Sequence, residues 1–484
     1  MPAHRGVVLG LGAAVVAAAA LRFPFLGNQS LWYDETYTRA IVNAGSLGDV
    51  WRGVEATEAT PPLYYLLTWA WGKPFGVASD AGLRMFGALA QVAAVPVAFA
   101  ALRSYVGRGA ALASAWLVAT SPLLVFYALD ARAYSLLVLL SLASLWALAR
   151  LLERPAARRW LAWALIAAAC VWTHYFAGFL VLAEVVVLAW RLPPARRALA
   201  AWSVVVAALC APLVPLLTRQ ADSRSDAIGS SPLRTRVEGA ARELATGPNV
   251  PRAWLEAVGI ALAAGGLAVG LAALRRRGHA ARPIAAIAAI GLALPLLLSV
   301  TEVADRFLIR NVLIVWGCVA ALAAVGLVRA RALPLVTYVL LSIAAVLWIQ
   351  GDWRYRNPDW AAATAELRDR ARAARNSEVT VAVYPRFNAP LARRYLSPSQ
   401  PRLRPFATAD FWVLLEPVRL GARELEPRPG LPRLPAGFAV TASYSVRGFR
   451  LLQLHAPRAA TIGPDSFGTD SVGDPPALRV VELE

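Results

Sequence analysis

Apolar runs long enough to cross a membrane recur along the first 350 residues, separated by short Arg-bearing loops and two long polar ones. A helix needs about 20 mainly apolar residues to span the hydrocarbon. On that length the pattern predicts spans at 6–26, 82–102, 109–127, 132–151, 159–174, 177–191, 198–218, 253–274, 282–300, 308–328 and 332–350. Two long loops, 27–80 and 219–252, lie between them. Within the first, residues 61–71 are apolar but too few to cross, so an in-plane helix is expected there. After residue 350 the pattern changes. Residues 359–375 read as an amphipathic helix, and 378–384, 410–415 and 449–454 read as strands by their alternation. The expected architecture is a polytopic helical membrane domain over 1–350, with about eleven transmembrane helices, and a small α/β domain over 351–484. From Pro457 onward the chain is rich in Pro, Gly, Asp and Ala and is expected to be poorly ordered.

Composition agrees with a membrane protein. The chain is 58% hydrophobic and only 16% charged, against about 25% charged in soluble domains. Its net charge of +19 does not argue for nucleic acid, because the arginines cluster in short loops between spans. Arg103 and Arg108, Arg150 to Arg159, Arg191 to Arg197, Arg275 to Arg282, and Arg329 and Arg331 all fall on one side if there are eleven crossings. By the positive-inside rule that side is the cytoplasm. Both long loops and the C-terminal domain are then outside. The basic start followed by a run ending in Ala18-Ala19-Ala20 also fits a cleaved signal. A retained first span is expected, with Arg22 snorkelling to the interface. Cys170, Cys210 and Cys318 lie in apolar runs and read as packing residues.

The candidate chemistry sits at the outer ends of spans. Asp34 and Glu35, flanked by Trp32, Tyr33 and Tyr37, follow the first span directly. Carboxylates this close to hydrocarbon are costly and tend to mark function. They also fit a helix first turn, where the dipole favours them. Asp130, Arg132 and Tyr134 link the third and fourth spans, His174 the fifth and sixth, and Asp305-Arg306 precedes the tenth. Arg132 could pair with Asp130. Glu184, inside the sixth span, could serve the site or a packing hydrogen bond. Arg219, Arg224, Arg234, Arg236 and Arg242 read as a solvated basic loop.

These motifs, in this order, resemble the GT-C fold glycosyltransferases, most closely family 39, the dolichyl/polyprenyl-phosphate mannosyltransferase-like group. That group includes protein O-mannosyltransferases and lipid A aminoarabinose transferases. Trp32-Tyr33-Asp34-Glu35 resembles its Asp-Glu motif. Thr60-Pro61-Pro62-Leu63-Tyr64-Tyr65 is similar to its His-Pro-Pro-Leu motif. Ser121-Pro122 with Tyr127 to Tyr134, Thr173-His174-Tyr175 and Arg306-Phe307 match further positions. Thr60 stands where the family often has His, and Asp130 where Glu is usual.

The resemblance implies a sugar transfer from a polyprenyl-phosphate donor to an envelope lipid, glycan or protein. The site would face the periplasmic side of the inner membrane, among membrane lipids. Asp34 is then the expected base, and Glu35 its helper or replacement. Arg132 and Arg306 are expected phosphate clamps. Tyr134, His174, Asp130, Pro62 and Tyr64 complete the expected substrate-binding set. The two acids admit Mg²⁺ or Mn²⁺ as cofactor, although the fuller oxygen set such ions use is not visible. A transporter or flippase for a lipid-linked glycan, or a catalytically degenerate family member, is the alternative.

Overall fold

The computed structural model describes residues 2–221, 231–275, 280–330, 332–374, 378–402, 404–420, 424–426, 433–463, 466–467 and 476–482. Arg224, Arg276, Arg277 and Arg331 lie outside them. The chain divides into two compact units. One comprises Met1–Leu26 and Tyr37–Leu347, the other Gly27–Thr36 and Trp348–Glu484. The segment around Asp34 and Glu35 therefore groups with the C-terminal domain, which the linear pattern does not reveal.

The first unit is helical, and among the described residues of the chain eight helices are long and apolar enough to cross a membrane. Helix Asp80–Thr120 has 41 residues, about twice what a bilayer requires. It turns at Gly107, whose φ of 79° suits glycine, so it forms a hairpin of two helices. Ala157–Thr173 and Ala177–Arg191 have 17 and 15 residues and occupy the two short spans expected there. Leu63–Phe75 is a 13-residue helix, as the short apolar run implies.

Polar groups inside this unit are used for packing. Glu184 Oε2 accepts from Ser144 Oγ and from Trp163 Nε1, each at 2.8 Å, and so joins three helices. Arg22 does not snorkel. It is fully buried, and its guanidinium donates to the carbonyls of Ala18 (3.0 Å), Ala119 (2.7 Å) and Val118 (3.3 Å). The last carbonyls of a helix have no partner within it; Ala18 lies in the final turn of Pro2–Ala20, and Val118 and Ala119 in the final turn of the hairpin. Cys170 and Cys318 are buried and Cys210 half-buried, all as free thiols.

Helices Ala253–Ala273 and Trp316–Arg329 approach backbone to backbone. A Cβ at Gly326 would lie 1.9 Å from the Gly266 carbonyl oxygen, and one at Gly270 2.0 Å from that of Leu322. Small residues permit such contact between helices in lipid. Gly326→Val is expected to cost roughly 3 kcal/mol by overpacking, seen as a lower melting temperature in detergent. Gly265→Val, where a Cβ meets nothing within 4 Å, is the matched control and should melt close to wild type.

The second unit holds a six-stranded sheet of order β2-β8-β1-β3-β7-β6. Its strands are β1 (Glu378–Tyr384), β2 (Ser399–Pro401), β3 (Phe406–Leu415), β6 (Ala439–Val446), β7 (Phe449–Ile462) and β8 (Ala477–Glu482). A separate pair is formed by β4 (Val418–Leu420) and β5 (Glu424–Glu426). Only β1 and β3 run parallel; the other pairings in the large sheet are antiparallel. Helix Trp360–Ala373 is capped by Asp359, which accepts from the Ala362 N–H at 3.1 Å. It buries Trp360 and Leu367, with the Trp360 ring 5.1 Å from that of Phe449. The expectation for the C-terminal stretch needs correction over its described residues; 464–465, 468–475 and 483–484 lie outside them. β7 continues past Pro457, and β8 pairs between β2 and β1, where Leu478 and Val481 are buried. A short apolar strand suffices once two neighbours supply its ladder.

Candidate active site

Asp34 and Glu35 begin the helix Tyr33–Val42. Glu35 is fully buried, and its Oε2 accepts from the Trp32 N–H at 3.1 Å. That is the back-reaching bond of a capping box, so Glu35 closes its own helix end. Asp34, its neighbour, is half-buried and points about 100° away around the helix. The segment before them is laced to the C-terminal domain. Ser30 Oγ donates to Asp359 Oδ1 (3.1 Å) and accepts from the Ala361 N–H (2.9 Å). The Leu31 N–H donates to the Tyr395 hydroxyl at 2.6 Å, and the Asn357 N–H to Gln29 Oε1 at 3.3 Å. The Tyr33 ring lies edge-on to Phe387 at 5.4 Å.

The C-terminal domain thus fixes the backbone leading into the acidic pair. Tyr395→Phe removes the acceptor for a buried N–H, a loss of about 1–3 kcal/mol. We expect the variant to lose protection of the Leu31 amide in hydrogen exchange. Unchanged protection there would show that the bond does not hold the segment.

In the transmembrane unit the residues linking the third and fourth spans converge with the first long loop. Arg132 Nη1 donates to Glu58 Oε1 at 2.8 Å and to Thr38 Oγ1 at 3.3 Å; Nη2 donates to Glu58 Oε2 at 2.6 Å. Both partners of this bidentate pair are buried. The carboxylate that grips Arg132 is thus Glu58, a residue carrying no motif signal. The guanidinium lies 5.9 Å from the Tyr65 ring centroid, and the Tyr65 hydroxyl bonds to Thr60 Oγ1 at 3.1 Å. Thr60, standing where the resembled family has His, is therefore a packing partner of Tyr65. Pro62 caps the start of helix Leu63–Phe75. Tyr64 is fully buried against the rings of Tyr65 and Phe86.

Around the same link, the Tyr134 ring lies tilted against those of Tyr127, at 4.6 Å, and His174, at 6.3 Å. His174 ends its helix, and its Nδ1 accepts from the Phe176 N–H at 3.3 Å. Arg132 and Arg310 are both close enough to act on His174 electrostatically, and Arg310, Glu243 and Asp130 act on Tyr127. Arg310 and Glu243 were not among the expected site residues. Arg310 falls four residues after Arg306, in helix Ile309–Val312, whereas Arg306 lies in the non-helical stretch before it. Glu243 sits on helix Leu233–Thr246, in the second long loop, where burial pushes its carboxyl up to about 6 against the opposing Arg242. That helix is seated by Gly247, whose φ is 81° and whose Cβ would strike Leu123 N at 2.6 Å.

The basic loop needs correction in one place. Arg236 is buried, and it donates to both oxygens of Asp305 (2.7 and 2.6 Å) and to the Phe307 carbonyl (3.3 Å). It is thus an anchor for the chain entering the tenth span rather than a solvated charge, and it occupies Asp305. The cluster that this unit does bring together is Arg132, Tyr134, His174 and, near them, Asp130, with Arg310 and Glu243 added. Among the described residues no three His, Cys, Asp or Glu side chains gather as a metal site.

Residues 59–218 match the family model of the dolichyl-phosphate-mannose-protein mannosyltransferases. No curated protein matches the chain in sequence. Among solved structures, ArnT from Cupriavidus metallidurans in the apo state aligns over 94% of this chain and 98% of its own, at 14% identity and a TM-score of 0.53. The chain has the GT-C fold. ArnT bound to undecaprenyl phosphate aligns at 19% identity and a TM-score of 0.45, over 67% of this chain and 60% of its own. The Archaeoglobus fulgidus oligosaccharyltransferase AglB, in complex with an inhibitory peptide and a dolichol-phosphate, aligns at 14% identity and a TM-score of 0.46, over 75% of this chain. The chain spans 58% of AglB's length. Within this GT-C fold, the family match contains three of the motif segments described above: Thr60 to Tyr65, Tyr127 to Tyr134 and Thr173 to Tyr175.

Proposed function

We propose that this chain is a membrane glycosyltransferase that transfers a sugar from a polyprenyl-phosphate donor to an envelope lipid, glycan or protein. The observation that carries this reading is the family match over residues 59–218. The residues of that stretch build the cluster of Arg132, Tyr134 and His174. The dolichyl-phosphate sugar named by the family, and the undecaprenyl phosphate and dolichol-phosphate bound by ArnT and AglB, share one chemistry: an isoprenoid with a single phosphate.

The proposed reaction is a single displacement with inversion at the anomeric carbon. Asp34 takes the proton from the acceptor hydroxyl as it attacks. The bond from the anomeric carbon to the phosphate oxygen breaks, and the polyprenyl phosphate leaves with that electron pair. Cations stabilise the charge that develops on the leaving phosphate. Arg132 gives its terminal nitrogens to Glu58 and Thr38, so we assign the phosphate contact to Arg132 and Arg310 jointly, with Arg306 flanking. Tyr134 and His174 contact the donor. Glu35 supports Asp34 through the helix end it caps. The site faces the periplasmic side of the inner membrane, opposite the arginine-rich short loops.

The test is transfer from defined radiolabelled polyprenyl-phosphate sugars into envelope acceptors by the purified, reconstituted protein, with and without chelator. Labelled acceptor and released polyprenyl phosphate are the expected products. Movement of intact donor across the bilayer without its cleavage would instead establish a lipid transporter.

A further inference from the structure

We propose that the end of the helical bundle at the Gly107 turn carries a binding site for the phosphate headgroup of an anionic phospholipid. A cleft of about 590 Å³ opens there, lined among others by Arg103, Tyr105, Val106, Arg108, Val328 and Arg329. Its three guanidinium groups come from three places in the fold. Arg103 lies in the last turn of the outgoing helix of the hairpin, and Arg108 just beyond the turn. Arg329 closes helix Trp316–Arg329.

All three arginines are exposed. Among the described residues none of them forms an ion pair or a side-chain hydrogen bond, and no carboxylate lines the cleft. Glu153 accepts from Ser104 Oγ, in the cleft wall, at 3.1 Å, and its charge is paired with Arg150 at 2.7 Å rather than with any of the three arginines. Three like charges held around one cleft without a counter-ion repel one another, and a shared anion relieves that repulsion. A guanidinium matches a phosphate through two oxygens at once.

The remaining walls say which phosphate fits. Tyr105 is buried and pinned by its hydroxyl to the Leu145 carbonyl at 2.9 Å. Val106, Val325 and Val328 give an apolar side that continues along helices of membrane-spanning length. A Cβ at Gly107 or Gly109 would meet nothing within 4 Å, so the rim is open. A headgroup among the arginines with an acyl chain along the valines uses both surfaces, whereas a soluble phosphate uses only one. Basic pockets between spanning helices hold anionic headgroups in this way. The inference rests on the membrane-spanning helices and is independent of the proposed sugar transfer.

The experiment compares the full-length protein with the triple variant Arg103→Ala, Arg108→Ala and Arg329→Ala in detergent. A charge-matched control is Arg154→Ala, Arg158→Ala and Arg197→Ala. Binding of phosphatidylglycerol, phosphatidylcholine and inorganic phosphate is measured by native mass spectrometry and thermal shift. Wild type and control should retain phosphatidylglycerol selectively over phosphatidylcholine. The cleft variant should bind it more weakly by roughly fivefold per arginine, hence about a hundredfold for all three. Equal loss in the control would mean diffuse charge rather than a site, and would overturn the proposal. So would equal retention of phosphatidylcholine, or full stabilisation by inorganic phosphate alone. A cleft variant that elutes as a monodisperse protein and binds phosphatidylglycerol as wild type does would overturn it as well.

Discussion

Asp34→Asn yields a folded, membrane-inserted protein with sugar transfer reduced by about 10²–10⁴, the contribution of a positioned general base. The substitution keeps the shape of the side chain and removes its charge and its ability to take a proton. Its structural cost is small. Asp34 lies in the first turn of helix Tyr33–Val42 and is half-buried, so losing the charge forfeits about 0.3–1 kcal/mol of dipole interaction. Glu35→Gln is the informative partner. Glu35 caps its own helix through Trp32 N–H, and an amide oxygen can accept the same bond. That variant should keep its melting temperature and most of its transfer rate. Full turnover by Asp34→Asn would remove Asp34 from the mechanism. If Glu35→Gln instead abolished transfer at unchanged stability, the proton acceptor would be Glu35, and capping would be its lesser duty.

The contrast between these acids shows which kinds of information the linear pattern holds. Membrane-length helices were legible because about 20 apolar residues are a local requirement, met within each segment. The 13-residue helix Leu63–Phe75 and the short pair ending at Thr173 and Arg191 follow from the same arithmetic. Capping by Glu35 was half legible, since an acid in a first turn has a known use. Long-range pairing was not. Glu58 and Arg132 are 74 positions apart, and Arg236 and Asp305 are 69 apart. No periodicity connects such partners. A buried arginine such as Arg22 or Arg236 reads in sequence as a charge seeking water, and only the carbonyls or carboxylates brought to it by the fold make its burial tolerable. Arg310 carries no motif signal, and only the fold brings its charge close enough to act on His174 and Tyr127. The grouping of Gly27–Thr36 with the C-terminal domain has the same origin: Ser30 and Leu31 find their partners at Asp359, Ala361 and Tyr395.

The buried pair of Glu58 and Arg132 gives the largest expected stability effect. Both side chains are almost entirely removed from solvent, with two parallel N–H to oxygen bonds at 2.8 and 2.6 Å. Breaking such a pair by removing one partner leaves a buried charge without its counter-charge, at about 3–5 kcal/mol. Glu58→Leu and Arg132→Leu should therefore each lower the melting temperature sharply. The double variant buries no charge and should recover most of the loss, because apolar replacement of a whole buried pair is often neutral. The exposed pair of Glu55 and Arg219 is the contrast, worth at most about 1 kcal/mol, since solvent screens it. Additive losses in the Glu58 and Arg132 cycle would refute the coupling. Activity separates stability from chemistry in the same three proteins. If Arg132 contacts the donor phosphate, the recovered double variant still transfers no sugar. If Arg132 serves only to pin the first long loop, transfer returns together with the melting temperature.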